Sequence, residues 1–143
     1  MKAAELMVGD LVCLKDDIKC ELPLKIDGVL TNDISLEGEG FLGGAEGLIR
    51  PIPITPEILE KNGFYDRNAQ WYYKRFGSYV CFDIAISLVY REIEVSKVCG
   101  AGTDCEEVEY GSSIVFGNDI CVHTLQHALR LCGLDELADN FKV

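Results

Sequence analysis

The sequence predicts an α+β fold, and three observations lead to this class. Short apolar runs separated by turn residues fill positions 4–54, strict two-residue alternation follows over 71–96, and a 3.6-residue period begins after residue 118. Strands gathered into sheets with a few separate helices are typical of α+β proteins. At 143 residues the chain has the length of one domain or of two small ones.

The N-terminal unit, residues 1–54, is predicted to be a small β-barrel-like or curled sheet. Its apolar runs at 11–15, 22–30 and 34–37 have the spacing of short, sequential strands. Five glycines between positions 38 and 47 predict a flexible hairpin loop in which no helix begins. The prolines that follow force an extended backbone, so we place an internal boundary there.

The second unit, residues 55–143, is predicted to run α-β-β-β-β-α, although the sequence also allows one continuous domain. Thr55 can cap a short helix, Pro56 suits its first position and Gly63 can end it. Four strands are predicted next, with the last one at 105–110, and together they would form an antiparallel meander.

A C-terminal helix is predicted to pack on one face of this meander. Asn118 or Asp119 would cap it, an apolar stripe including Leu125 and Cys132 would be buried, and Gly133 would end it. A last turn at 134–137 would cover the edge of the sheet.

The charge balance excludes several classes of partner. The chain has 24 acidic and 13 basic residues, a net charge of −11, and no basic run. Binding to nucleic acid or to an anionic membrane needs clustered Lys and Arg, so we expect neither partner. The chain has no run of 18 apolar residues and no secretory signal, so we expect a cytoplasmic protein.

The seven cysteines are odd in number and include no C-x-x-C pair, which argues against a disulfide scaffold and a zinc ribbon. We expect thiols that act mainly as small, partly buried apolar side chains in a reducing compartment.

Two motifs suggest chemistry, and both have a simpler interpretation. Cys121, His123 and His127 are weak candidates for a metal site or a Cys-His nucleophile, because histidines four residues apart share a helix face. However, the histidines lie beside Gln126 and away from the apolar stripe, which favours a structural or surface role. The G-x-G-x-x-G match at 38–43 lacks the helix that a dinucleotide site needs. No catalytic residue, metal or cofactor is therefore predicted.

A run of carboxylates at 104–109 is expected to be a solvated acidic edge of the sheet rather than a cation site. The aromatic run 71–79 is expected to bury one face of a strand and to leave Trp71, Tyr73 and Arg75, or their alternates, on the other. Aromatic residues with arginine are typical of binding hot spots, so these three residues are the predicted recognition site.

Three blocks of the chain carry a resemblance: 4–12 (AELMVGDLV), 51–64 (PIPITPEILEKNGF) and 122–129 (VHTLQHAL). In these blocks the sequence resembles a family of short uncharacterised proteins from prophage-like and mobile regions of intestinal bacteria. That family has Asn where His127 stands here. The resemblance implies a genomic setting and a shared fold, and it implies no chemistry.

Three functions remain open at this point. The first is a non-enzymatic cytoplasmic accessory protein that binds a protein partner. The second is an acidic mimic of nucleic acid that inhibits a basic host protein. The third is a small metal-dependent or Cys/His hydrolase built on Cys121, His123 and His127. The oligomeric state is left open.

Overall fold

The computed structural model describes residues 5–31, 33–38, 40–42, 45–68, 70–77, 80–99, 109–117 and 120–143. The chain folds into two compact units. One comprises Met1–Pro53 with Cys121–Phe141 and Val143, and the other comprises Ile54–Ile120 with Lys142. Among the described residues, no helix has the length and apolar character needed to cross a membrane.

The described residues form ten strands and four helices. In chain order these are β1 (Leu11–Leu14), β2 (Leu24–Val29), β3 (Ile34–Leu36), β4 (Gly40–Leu42), α1 (Ala45–Leu48), β5 (Ile49–Arg50), α2 (Pro56–Lys61), β6 (Tyr65–Asp66), β7 (Trp71–Gly77), β8 (Val80–Ser87), β9 (Glu92–Cys99), β10 (Glu109–Gly117), α3 (Val122–Leu131) and α4 (Asp135–Asp139).

The first unit contains a five-stranded antiparallel sheet in the order β4-β3-β2-β1-β5. A register shift between Ile26 and Gly28 marks a bulge where β2 pairs with β3, and bulges bend and twist a sheet. The inner face is a closed apolar cluster of Leu6, Val12, Ile26, Ile34, Leu36 and Ile49. The predicted curled sheet is therefore confirmed.

The glycine-rich segment departs from the sequence prediction of a single flexible loop. Gly40–Leu42 forms β4, and Ala45–Leu48 forms one helical turn, where we predicted that no helix begins. Strand pairing with β3 compensates for the low strand propensity of glycine, because Leu36 pairs with Gly40 and Ile34 with Leu42. Residues 39 and 43 of the G-x-G-x-x-G match lie outside the described residues.

The turn between β1 and β2 is cross-linked. Cys13 and Cys20 form a disulfide with their Cα atoms 5.5 Å apart, which corrects the expectation that these cysteines are thiols. The Arg50 guanidinium also donates hydrogen bonds to the backbone carbonyls of Asp17 (2.6 Å) and Ile18 (2.7 Å). The turn folds back on itself and brings together two cysteines whose sequence spacing matches no familiar motif.

The C-terminal helix α3 belongs to the first unit, whereas the sequence assigned it to the second. Gln126 explains the difference. Its Nε2 donates to the carbonyls of Gly9 (3.0 Å) and Ala138 (2.8 Å), and its Oε1 accepts from the Leu11 N–H (2.9 Å). The bonds to Gly9 and Leu11 span more than a hundred residues of sequence, and chain order does not reveal them. The N-cap of α3 is Cys121; the predicted caps Asn118 and Asp119 lie outside the described residues.

The second unit contains the predicted antiparallel meander, in the order β10-β9-β8-β7-β6. Its last strand is Glu109–Gly117 instead of 105–110, and most of the predicted acidic edge, 104–108, lies outside the described residues. The short strand β6 was not predicted. Helix α2 begins as predicted, because the Thr55 hydroxyl accepts from the Ile58 N–H (3.3 Å) and Gly63 ends it with φ +77°.

Candidate functional site

Strand β7 divides its side chains between the two faces of the second sheet. Tyr72 and Phe76 are buried, and Phe76 meets Phe64 edge to face at 6.3 Å between ring centroids. Trp71 and Tyr73 are half-buried on the opposite face, and Arg75 is exposed there. The unbroken antiparallel register with β8 keeps this alternation along the strand. The structure thus places the three predicted recognition residues on one face.

Three further side chains join them on this face. Tyr65 meets Tyr73 edge to face at 5.4 Å between ring centroids, Tyr90 lies 6.2 Å from Trp71, and the Arg67 guanidinium lies 5.5 Å from the centre of the Tyr73 ring. Such geometries are favourable for aromatic pairs and for a cation over a ring. We call this surface the aromatic face: Tyr65, Arg67, Trp71, Tyr73, Arg75 and Tyr90.

The aromatic face is fixed by a buried carboxylate. Asp83 is only 3% exposed, and both its oxygens accept from Arg75, one from Nε (2.6 Å) and one from Nη2 (2.7 Å). Nη2 of Arg75 also donates to the Tyr73 hydroxyl (3.0 Å). Because Arg75 is opposite Asp83 in the β7–β8 register, the bidentate pair forms directly across the two strands.

The pKa values of Asp83 and Tyr73 are shifted by burial and by the contacts among Asp83, Arg75 and Tyr73. Burial by itself raises the pKa of Asp83, but the hydrogen bonds from Arg75 and Tyr73 outweigh it and the net pKa lies below the ordinary value. Burial and the Asp83 carboxylate raise the pKa of Tyr73, so its phenol stays protonated. Arg75 therefore neutralises and orients the Asp83 carboxylate, and it also presents a positive charge at the surface.

The sequence also contains a signal that Asp83 has a special role in β8. Aspartate is disfavoured within strands, and this one interrupts a run of apolar and small residues between Phe82 and Ile84. A charged residue within such a strand indicates a partner of opposite charge. Tyr65 and Tyr90 gave no comparable signal, because they lie on β6 and on the turn after β8.

The other predicted cluster lies at the start of α3. The Cys121 sulfur is 3.0 Å from His123 Nδ1 and 3.0 Å from the Thr124 hydroxyl oxygen. Cys121 is 5% exposed and His123 is 9% exposed, so His123 is a buried side chain rather than a surface one. Burial lowers the pKa of His123, although the negative charge of Asp10 opposes this shift.

His127 turns away from Cys121 and bonds to Asp10 instead. Its Nε2 lies 2.8 Å from Oδ2 of Asp10, and Arg130 donates from Nη1 to Oδ1 of the same carboxylate (2.7 Å). Asp10 is completely buried and also accepts from the Met7 N–H (2.8 Å). In the part of the chain that the structure describes, no three His, Cys, Asp or Glu side chains are arranged to hold a metal ion.

The buried network of α3 links two of the three blocks that carry the sequence resemblance. Gly9 and Asp10 come from the first block, and Gln126 and His127 come from the third. At Gly9, where φ is +92°, an added Cβ would lie 2.6 Å from the Arg130 guanidinium. The positive φ favours glycine here, and a side chain would also displace the Arg130 guanidinium. These residues hold the first unit together, which is a structural role.

Cys132 lies on the apolar stripe, as the sequence predicts. It is buried at the end of α3, and burial raises the pKa of its thiol to about 11. A thiol with a raised pKa is a poor nucleophile at neutral pH, so Cys132 packs as a small apolar side chain.

Comparison with known protein families, with curated proteins and with solved structures finds no match to this chain.

Proposed function

We propose that this protein is a non-enzymatic protein-interaction module whose aromatic face binds a protein partner. The observation that carries the proposal is the set of four aromatic side chains on one open face of a regular sheet. Tyr65 is 54% and Tyr90 62% exposed, next to the half-buried Trp71 and Tyr73. Trp, Tyr and Arg are the residue types in which binding hot spots are enriched.

The rigidity of this face supports the proposal. Trp71 and Tyr73 stand on a seven-residue strand paired along its whole length with β8. The Arg75–Asp83 ion pair fixes the side-chain positions further. A surface that is ordered before binding loses little conformational entropy in the complex, and more of the contact energy then appears as affinity.

The burial of the Cys-His pair weighs against the hydrolase alternative. A substrate must reach the sulfur of Cys121 and the ring of His123, and both side chains are covered by protein. The second histidine bonds to Asp10 and does not support the first. We therefore assign this cluster to the stability of the first unit.

The setting that we propose is an accessory role in a mobile element, on the strength of the three sequence blocks. The proposed cytoplasmic location rests on the buried thiol of Cys132, which fits a reducing compartment. The Cys13–Cys20 disulfide weighs in the opposite direction, because disulfides persist mainly in oxidising compartments.

The test begins with gentle capture of the protein from its own host and native mass spectrometry of the complex. A partner found in this way is purified, and its affinity is measured for the wild type, for Tyr65→Ala and Tyr90→Ala, and for the control Glu60→Ala on the exposed side of α2. We expect the two tyrosine variants to bind at least about tenfold more weakly and the control to bind within about twofold of wild type.

Two outcomes would contradict the proposal. The first is a bare chain of 15.8 kDa, or a simple multiple of it, with no retained partner. The second is a partner whose affinity is unchanged in both tyrosine variants. If the affinity instead falls steeply with salt and the partner is a basic nucleic-acid-binding protein, the acidic-mimic function replaces the one proposed here.

A further inference from the structure

A small cavity opens beside the cross-linked turn of the first unit. Its volume is about 290 Å³, and it is lined by Leu14, Asp17, Glu21, Leu22 and Leu24. Pockets for small molecules have volumes of roughly 300–1,000 Å³, so this one has the size for a single long side chain rather than for a cofactor. It lies within the first unit, and none of its lining residues belongs to the aromatic face.

The apolar part of the lining is unusually open. Leu22 is 76% exposed, Leu14 is also exposed, and Leu24 is half-buried. The neighbouring Ile18 is exposed as well. Apolar side chains that are held together at the surface, without burial of their own, gain stability when a partner covers them.

The polar part of the lining is anionic. Asp17 accepts from the Leu22 N–H through Oδ2 (3.3 Å). Desolvation raises its pKa, but the backbone hydrogen bonds and Arg50 lower it more, so Asp17 is ionised at neutral pH. Glu21 adds a second carboxylate, with Lys19 at 4.0 Å in an exposed contact of little energetic weight. The cavity therefore combines an apolar wall with negative charge.

The turn that carries the cavity is constrained on both sides. The Cys13–Cys20 disulfide closes it, and the guanidinium of Arg50 bonds to two of its carbonyls, those of Asp17 and Ile18. A constrained turn keeps the leucines and the carboxylates in place before any ligand arrives.

We propose that this cavity binds the side chain of a basic residue, arginine or lysine, from a protein partner. The apolar stem of such a side chain would lie against Leu14, Leu22 and Leu24, and its cationic head would meet Asp17 and Glu21. Long basic side chains bury their stems on apolar surface while the head remains solvated, and this cavity offers both environments. Charge complementarity with a chain of net charge −11 favours a basic partner over an acidic one.

The test is an NMR titration of the full chain, with leucine methyl groups labelled. The probe is N-acetyl-arginine amide, and the matched control ligand is N-acetyl-citrulline amide, which has nearly the same shape and no charge. We expect saturable shifts at the cavity leucines with the arginine probe, at a Kd on the order of millimolar, and weaker binding of the citrulline probe.

Two variants test separately how the Glu21 carboxylate and the Leu22 side chain contribute to binding of the probe. Glu21→Gln and Leu22→Ala change exposed side chains, and each should weaken the binding about two- to fivefold. The control is Glu37→Gln, which removes one negative charge from an exposed side chain after β3. It should leave the binding unchanged. Absent or unsaturable shifts, shifts spread over the acidic surface, equal binding of citrulline, or equal effects of Glu21→Gln and Glu37→Gln would each overturn the proposal. The aromatic-face variants do not touch this cavity, so the two proposals fail independently.

Discussion

Replacement of Arg75 by methionine tests whether the Arg75–Asp83 pair holds the aromatic face together. Methionine keeps much of the apolar stem and removes the guanidinium, which makes two hydrogen bonds of 2.6 and 2.7 Å to Asp83. Asp83 is 3% exposed, and its carboxylate would lose the guanidinium that both its oxygens contact. The variant therefore leaves a buried carboxylate with only the Tyr73 hydroxyl and the charge of Arg67 to compensate it.

The loss of stability expected for Arg75→Met follows from the burial of the two paired side chains. Removal of one partner from a fully buried ion pair costs about 3–5 kcal/mol. The Arg75 side chain is 38% exposed, so water screens part of the interaction and the expected loss is smaller, about 2–3 kcal/mol at pH 7. Small domains have a free energy of unfolding of about 5–15 kcal/mol, so a loss of this size is readily measured.

The stability lost in Arg75→Met should also depend on pH, and the direction of this dependence can be predicted. In the wild type the pKa of Asp83 is lowered, so the ion pair stabilises the fold above the unfolded pKa of about 3.9 and this stabilisation is lost as the pH falls through the folded pKa. In Arg75→Met the Asp83 carboxylate stays buried but has lost the hydrogen bonds from Arg75. The pKa of Asp83 should therefore rise above its value in the unfolded chain. Protonation then relieves the buried charge, so the cost of the substitution should be smaller at pH 4 than at pH 7.

The assay is urea unfolding followed by the emission of Trp71, the single tryptophan, which reports on the second unit. Lys97→Met, which removes an exposed cation from β9, is the control and should change stability by less than about 0.5 kcal/mol. In a double-mutant cycle, Asp83→Asn should recover part of the loss. An equal cost at both pH values, or a larger cost at pH 4, would refute the role assigned to the pair.

Three further predictions concern the first unit. Gln126→Leu leaves three backbone groups without their partner and should lower the free energy of unfolding by about 3–5 kcal/mol, measured by urea denaturation followed by far-UV circular dichroism, which reports on both units; the exposed Gln70→Leu should change it by less than about 0.5 kcal/mol. Asp10→Asn replaces the buried carboxylate that Arg130 and His127 both contact and should cost about 2–4 kcal/mol at pH 7 in the same assay; a cost below about 1 kcal/mol would contradict the buried network. The disulfide predicts that the tryptic peptides with Cys13 and Cys20 are joined until a reductant is added, and their separate recovery by mass spectrometry after trapping of free thiols would show that the bond does not form.

Local patterns predicted the elements whose stability depends on nearby residues. Helix α2 was correct because its cap, its first-turn proline and its terminal glycine act within one or two turns. The alternation along β7 and β8 separated the buried Ile84 and Ile86 from the open face, and it placed the predicted recognition residues on one side. A period of two is a local property, and it persists in any sheet that buries one face.

The same patterns were insufficient where a distant contact decides the outcome. The helical period of α3 was visible, but it put Gln126 on the open side. The structure buries this residue completely because its amide bonds to three backbone groups, two of them more than a hundred residues away in the sequence. A polar residue in a helix can be buried at no net penalty when all its hydrogen bonds are made, and the sequence does not show whether they are.

The sequence by itself determined the fold class and the alternation of the meander, and its two-residue period put Trp71, Tyr73 and Arg75 on a shared face of β7; the structure decided that this face is the open one. The tertiary structure alone decided that Asp83 pairs with Arg75, that Tyr65 and Tyr90 extend the aromatic face, and that α3 belongs to the first unit. The physical reason is the range of the interactions. Period and capping act over a few residues, whereas strand register, disulfide pairing and buried hydrogen bonds depend on which distant segments the folded chain brings together.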